Sequence, residues 1–114
     1  MKVINKTKGV LLAEQLCIAN KPWTRIKGLL GRKSLGSSEA LLIDPCNSIH
    51  TFFMQFNIDC LFLDKKNSVV GILSDVKPSR LSPVYWSGQR VIEFSSGVLK
   101  NSNTQLRDII EIID

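Results

Sequence analysis

The sequence predicts a mostly β fold: one compact β-sandwich-like or barrel-like domain of about eight short strands with one short helix. Three observations carry this. Short apolar runs recur between clusters of turn residues. Only one stretch, around residues 22–30, has helical periodicity. The chain of 114 residues is 44% hydrophobic and 22% charged, enough for one core without metals or disulfides. The whole chain, 1–114, is read as a single domain.

The elements follow in order. Val3-Ile4-Asn5 and Val10-Leu11-Leu12-Ala13 read as strands around the turn residues Asn5-Lys6-Thr7-Lys8-Gly9. Leu16-Cys17-Ile18-Ala19 is a further strand. Asn20 can cap a helix, and Pro22 suits its first turn. Trp23, Ile26, Leu29 and Leu30 then fall at helical spacing, which predicts a helix of about ten residues ended by Gly31. Ala40–Ile43, Ile49–Met54 and Cys60–Leu63 read as strands. Asp64-Lys65-Lys66-Asn67 reads as a hairpin turn into Ser68–Leu73. Pro78 and Pro83 bracket a loop holding Tyr85 and Trp86. Arg90–Phe94 is a strand, Ser95-Ser96-Gly97 a turn, and Asp108–Ile113 closes the fold.

Charge and cysteines narrow the function classes. The net charge is +5, and the positive charge is concentrated at the start: residues 1–33 hold Lys2, Lys6, Lys8, Lys21, Arg25, Lys27, Arg32 and Lys33 against Glu14 alone. Such a segment suits weak, non-specific nucleic-acid binding through residues 21–33, or a solvated basic edge. No nucleic-acid motif accompanies it, so there is no strong nucleic-acid signal. No apolar run reaches the ~20 residues of a transmembrane helix. The N-terminus lacks the apolar region of a signal peptide, and the chain reads as cytoplasmic. Its three cysteines lack Cys-x-x-Cys spacing and read as free thiols.

Residues 46–64 hold the candidate chemistry: Cys46, the only histidine His50, Asp59 and Cys60, set among apolar side chains. In an extended strand Cys46 and His50 would lie about 13 Å apart, too far to share a zinc ion with ligand bonds of about 2.0–2.3 Å. No metal and no cofactor is therefore expected. Cys46, His50 and Asn47 or Asp59 supply the residue types of nucleophilic catalysis, and Asp59 and Glu93 could act as acid and base. By alternation Asp59 shares a face with Leu61 and Leu63. If that face is core, its carboxylate needs backbone N–H groups, hydroxyls or a cation such as Arg25, Arg32 or Arg90. His50 would share a face with Phe52 and Met54.

Three segments resemble one family. Arg25-Ile26-Lys27-Gly28-Leu29-Leu30-Gly31-Arg32 is similar to its Arg-x-x-Gly-Leu-Met-Gly-Arg helix. Ile49-His50-Thr51-Phe52-Phe53-Met54 through Ile58-Asp59-Cys60-Leu61-Phe62-Leu63-Asp64 resembles its central His-Thr-Phe-x-Met and Ile-Asp-x-x-Phe-x-Asp motifs. Val91-Ile92-Glu93-Phe94-Ser95-Ser96-Gly97 resembles its Val-Leu-Glu-x-x-x-Gly turn. The family is the bacterial and archaeal domain of unknown function 192. The resemblance implies a compact β domain with a short helix and implies no reaction. Some relatives look exported. The family's Gly-Asp before the last strand is Arg107-Asp108 here, so only the aspartate carries over.

The sequence thus favours a binding or interaction role, toward a small molecule or a protein, over catalysis. Its candidate binding residues are His50, Met54, Gln55, Asp59, Arg25 and Glu93. The alternative is a hydrolase-type enzyme using His50 with Asp59 or Cys46.

Overall fold

Six consecutive residues, Ile-Asp-Cys-Leu-Phe-Leu at 58–63, are all buried. A strand with both faces buried must lie inside a sheet covered on both sides, and the fold is organised around this one. The computed structural model describes residues 1–114, with strands β1 (Lys2–Asn5), β2 (Val10–Ala13), β3 (Gln15–Ala19), β4 (Glu39–Ile43), β5 (Ile58–Leu63), β6 (Val69–Val76), β7 (Arg90–Ser95) and β8 (Ile110–Ile113). Two helices, α1 (Pro22–Lys27) and α2 (Val98–Asn101), complete it. A large sheet has the order β3-β4-β7-β5-β6, and a small one the order β2-β1-β8. β7, late in the chain, enters antiparallel between β4 and β5.

The large sheet's two faces bury different clusters. Leu61, Leu63, Ile92 and Phe94 face Val3, Leu12 and Ile110 of the small sheet. Ile58, Cys60, Phe62, Val91, Leu41 and Ile43 point the other way, where Leu29, Leu35 and Ile49 cover them. Strand alternation makes this division. β3 and β4 run parallel, so a long connection must cross between them, and residues 20–38 with α1 supply it. That crossover and the loops around residues 45–56 and 78–88 cap the second face. Tyr85 anchors the last loop: its ring stacks on Phe62 at 4.2 Å and fills the space over Gly71, where a Cβ would come within 2.3 Å of it.

The mostly β expectation holds, with eight strands in two sheets. Three details differ. α1 is six residues long, not ten; Gly28, at φ 47°, ends it, and Leu29 and Leu30 lie in the turn that follows. Its apolar residues Trp23 and Ile26 are 66% and 76% exposed, so they pack no core. Residues 49–54 form no strand. Only His50 bridges to Leu81, and the loop is tied crosswise, with the Thr51 hydroxyl donating to Lys77 O and accepting from Arg80 N. Phe53 then turns through φ 66°. Finally, α2 is a second helix, of four residues, after Gly97 at φ 99°. Arg107 stands at φ 73°, so the left-handed backbone forms there without glycine. No helix is long and apolar enough to cross a membrane.

Asp59 is fully buried on the β5 face that carries Leu61 and Leu63. No arginine reaches it: Arg32 pairs with Glu39 and Arg90 with Asp44, while Arg25 lies at the sheet's other face. Its Oδ2 instead accepts from the N–H groups of Gly97 and Leu99 at the start of α2, at 3.0 Å each. Its Oδ1 accepts from Asp75 N at 2.8 Å. These are donors that a helix start and a bulged strand edge leave without partners. Truncation would strand three of them, at a cost of roughly 1–3 kcal/mol. Asp59→Ala should therefore lower the melting temperature by several degrees, whereas His50→Ala, at an exposed position, should change stability by less than about 0.5 kcal/mol and barely move the melting temperature. Thermal melts followed by circular dichroism check this; equal, negligible effects would contradict the assignment.

Candidate functional site

On β7 the alternation that sends Ile92 and Phe94 into the inter-sheet core sends Val91 and residue 93 to the capped face. Residue 93 is glutamate. It pairs with Leu41 on one side and Cys60 on the other, at the middle of the large sheet. Glu93 is 5% exposed, and that exposure faces a cleft of about 340 Å³. No hydrogen bond or ion pair within the chain engages its carboxyl. Burial is the sole influence on its acidity and lifts its pKa from 4.5 to about 7.

The cleft lies between the sheet, α1 with the turn after it, and the loop around residues 45–50. Ile43 and Leu29 make its floor, and Ile26, Leu30, Ile49 and Met54 add apolar wall. Arg25 and Lys27 bring positive charge from α1, and neither forms an ion pair. Cys46, Asn47, Ser48 and His50 come from the loop. The loop is laced to residues 82–89 through Cys46 N to Gln89 O, Tyr85 N to Asn47 O and Ser82 N to Ile49 O, each 2.9 Å. The anchored Tyr85 thus fixes one wall, while α1, with no buried residue, forms the other.

The Cys46 thiol donates to Ser48 O at 3.0 Å. Burial raises its pKa, with the Glu93 charge adding to the rise and the Arg25 charge opposing it. It is therefore a thiol at neutral pH and a weak nucleophile. His50 is exposed and stacks on Phe52, with ring centroids 5.4 Å apart. Cys46 and His50 share the cleft because residues 46–50 bend instead of extending, but no hydrogen bond joins them. No group of three or more His, Cys, Asp or Glu side chains gathers to hold a metal ion.

The structure thus brings together five of the residues singled out in the sequence: Cys46, His50, Met54, Arg25 and Glu93. It separates two others. Asp59 lies at the opposite face of the large sheet, so a His50–Asp59 pair does not form, and Gln55 is exposed outside the cleft. Asn47, named in the sequence beside Cys46 and His50, lines the cleft with those five, and so does Lys27, named there only within the basic segment. Sequence reasoning missed Ser48, whose signal was its place near Cys46 in a Pro-led loop.

A two-sheet β domain with a half-apolar cleft on one face of its larger sheet is the class that this geometry defines. The chain belongs to the domain of unknown function 192 family, described as Uncharacterized ACR, whose model matches residues 3–112. A UPF0127 protein of Thermococcus sibiricus is 30% identical over 113 residues, spanning 96% of this chain and 73% of that protein. Two crystal structures share the fold. A Novosphingobium aromaticivorans protein of unknown function matches 97% of this chain and 84% of its own, with a TM-score of 0.85 at 19% identity. A Sinorhizobium meliloti protein, provisionally described as a transcription regulator, matches 96% and 89%, with a TM-score of 0.81 at 18% identity. Both likenesses are of fold, and no catalytic role is established for the family.

Glu93 makes stability depend on pH in a stated direction. Below about 4.5 it is protonated both folded and unfolded. Between 4.5 and about 7 the folded chain keeps a proton that the unfolded chain releases, so stability falls as pH rises through this window. The loss amounts to about 3 kcal/mol and is complete above pH 7. Urea unfolding of the wild type at pH 5 and pH 8 should show this decline, and Glu93→Gln should remove most of it. An equal decline in both proteins would assign it to another group.

Proposed function

We propose that this chain is a small-molecule-binding domain whose ligand hydrogen-bonds Glu93 inside the cleft. One observation carries the reading: a glutamate only 5% exposed, its carboxyl unpartnered by the protein and opening onto a cavity of ligand size. The carboxyl opens onto the cleft and no protein group bonds it, so its hydrogen-bonding capacity is left to a group that enters from outside. The apolar walls favour a ligand with an apolar body, and the polar loop residues can orient it. The basic segment around the cleft is available to steer charged ligands.

A second reading rests on the pKa of about 7, the value a general acid or base takes. It requires turnover in addition to binding.

The probe 2-phenylethanol, an apolar ring with one hydroxyl, tests both readings. Amide NMR titration should move resonances of residues 25–30, 43–50 and 91–95, with a dissociation constant of about a millimolar for so small a probe. Glu93→Leu should weaken it several-fold. Shifts elsewhere on the surface, or none, would sink the proposal. Hydrolysis of phenethyl acetate by the wild type, lost in Glu93→Gln, would move the reading to catalysis.

A further inference from the structure

The geometry points to a zwitterionic ligand, a small amino acid, held with its ammonium group at Glu93 and its anionic group at Arg25. This rests on the cleft being a small-molecule site and adds the chemical class that it takes.

The argument starts from what surrounds Glu93. Its strand neighbours are Leu41 and Cys60, one apolar and the other a buried thiol whose pKa stands well above its usual value. The groups that face it from the covering elements are Cys46 and His50 on the loop and Arg25 and Lys27 on α1. None of them hydrogen-bonds it. The nearest arginine in sequence, Arg90, is committed to Asp44. The protein thus builds a carboxylate site that no cation of its own bonds. An ammonium group suits that carboxylate best, because it carries three donors and the opposite charge. Charge-assisted bonds are roughly twice as strong as neutral ones, so an amine outcompetes an alcohol there.

The cleft also offers the opposite charge. Arg25 and Lys27 line it without carboxylate partners, although Arg32, a few residues on, has found Glu39. Glu93 and Arg25 line the same cleft of about 340 Å³, so one ligand that fills it meets both. A guanidinium fork suits a carboxylate in particular. The apolar floor at Leu29 and Ile43 takes the side chain. A purely cationic ligand would meet repulsion at α1, and a purely anionic one would meet it at Glu93.

Three probes that share one ring separate the possibilities: L-phenylalanine, phenethylamine and 3-phenylpropionate, titrated into the wild type, Glu93→Gln and Arg25→Gln at pH 8 and followed by amide NMR. Phenylalanine should bind tightest, about tenfold tighter than phenylpropionate. Glu93→Gln should abolish that advantage. Arg25→Gln, at an exposed residue that the fold does not need, should bring phenylalanine down to phenethylamine. In the unmodified protein, phenethylamine should bind about tenfold more weakly at pH 6 than at pH 8, as Glu93 takes up its proton. Phenylpropionate equalling phenylalanine, or phenethylamine indifferent to pH, would overturn the zwitterion assignment. It would leave the cleft standing if 2-phenylethanol still binds there. Failure of all four probes to move a cleft resonance would remove the site itself.

Discussion

A central strand buried on both faces is the constraint on which this molecule depends. β7 lies third among the five strands of the large sheet, hydrogen-bonded to β4 and β5. Each of its middle side chains, Val91 to Phe94, must enter one of two cores. Val91, Ile92 and Phe94 meet that demand with apolar surface, each worth roughly 1.5–3 kcal/mol when fully buried. Glu93 does not. At the corresponding depth on β5 the chain also places a carboxylate, Asp59, but there it closes every account: three backbone N–H groups converge on it. The same fold thus holds one buried acid satisfied by its own backbone and another left facing a cavity. The contrast separates a structural carboxylate from a candidate functional one.

Much of this architecture was legible in the sequence. Short apolar runs between turn residues located all eight strands. A ninth, expected at residues 49–54, failed because Phe52 and Phe53 look like strand residues yet stand exposed. Thr51 decides the conformation there, through two hydrogen bonds to residues 77 and 80 that no local pattern announces. The helix was misjudged for a related reason. Helical spacing of Trp23, Ile26, Leu29 and Leu30 implies a buried stripe, but the chain uses Gly28 to break the helix and sends only Leu29 inward. Ile26 and Leu30 line the cleft, and Trp23 stays exposed.

The site was legible in its members more than in its centre. Residues 46–54 drew attention through the lone histidine and the thiol, both of which line the cleft without carrying its main charge. Asp59 drew attention as an acid in an apolar strand, and its partners turned out to be amides some 16 to 40 residues away in sequence. Glu93 has the same sequence signature. What distinguishes the two is long-range: α2 lies over one face of the sheet and a cavity over the other. Sequence spacing carries no information on that difference, because it depends on how the parallel β3–β4 crossover is draped.

The central claim is that Glu93 is buried, uncompensated and awaiting an external partner. Carbon-13 NMR of the glutamate carboxyls, followed from pH 3 to pH 9, measures this at the atom concerned. The account predicts one glutamate with a midpoint near 7, assigned to Glu93 by its loss in Glu93→Gln, and a fall in that midpoint when phenethylamine is present in excess. A Glu93 midpoint at the ordinary value of 4.5 would show that the protein already satisfies this carboxyl, and would contradict the account.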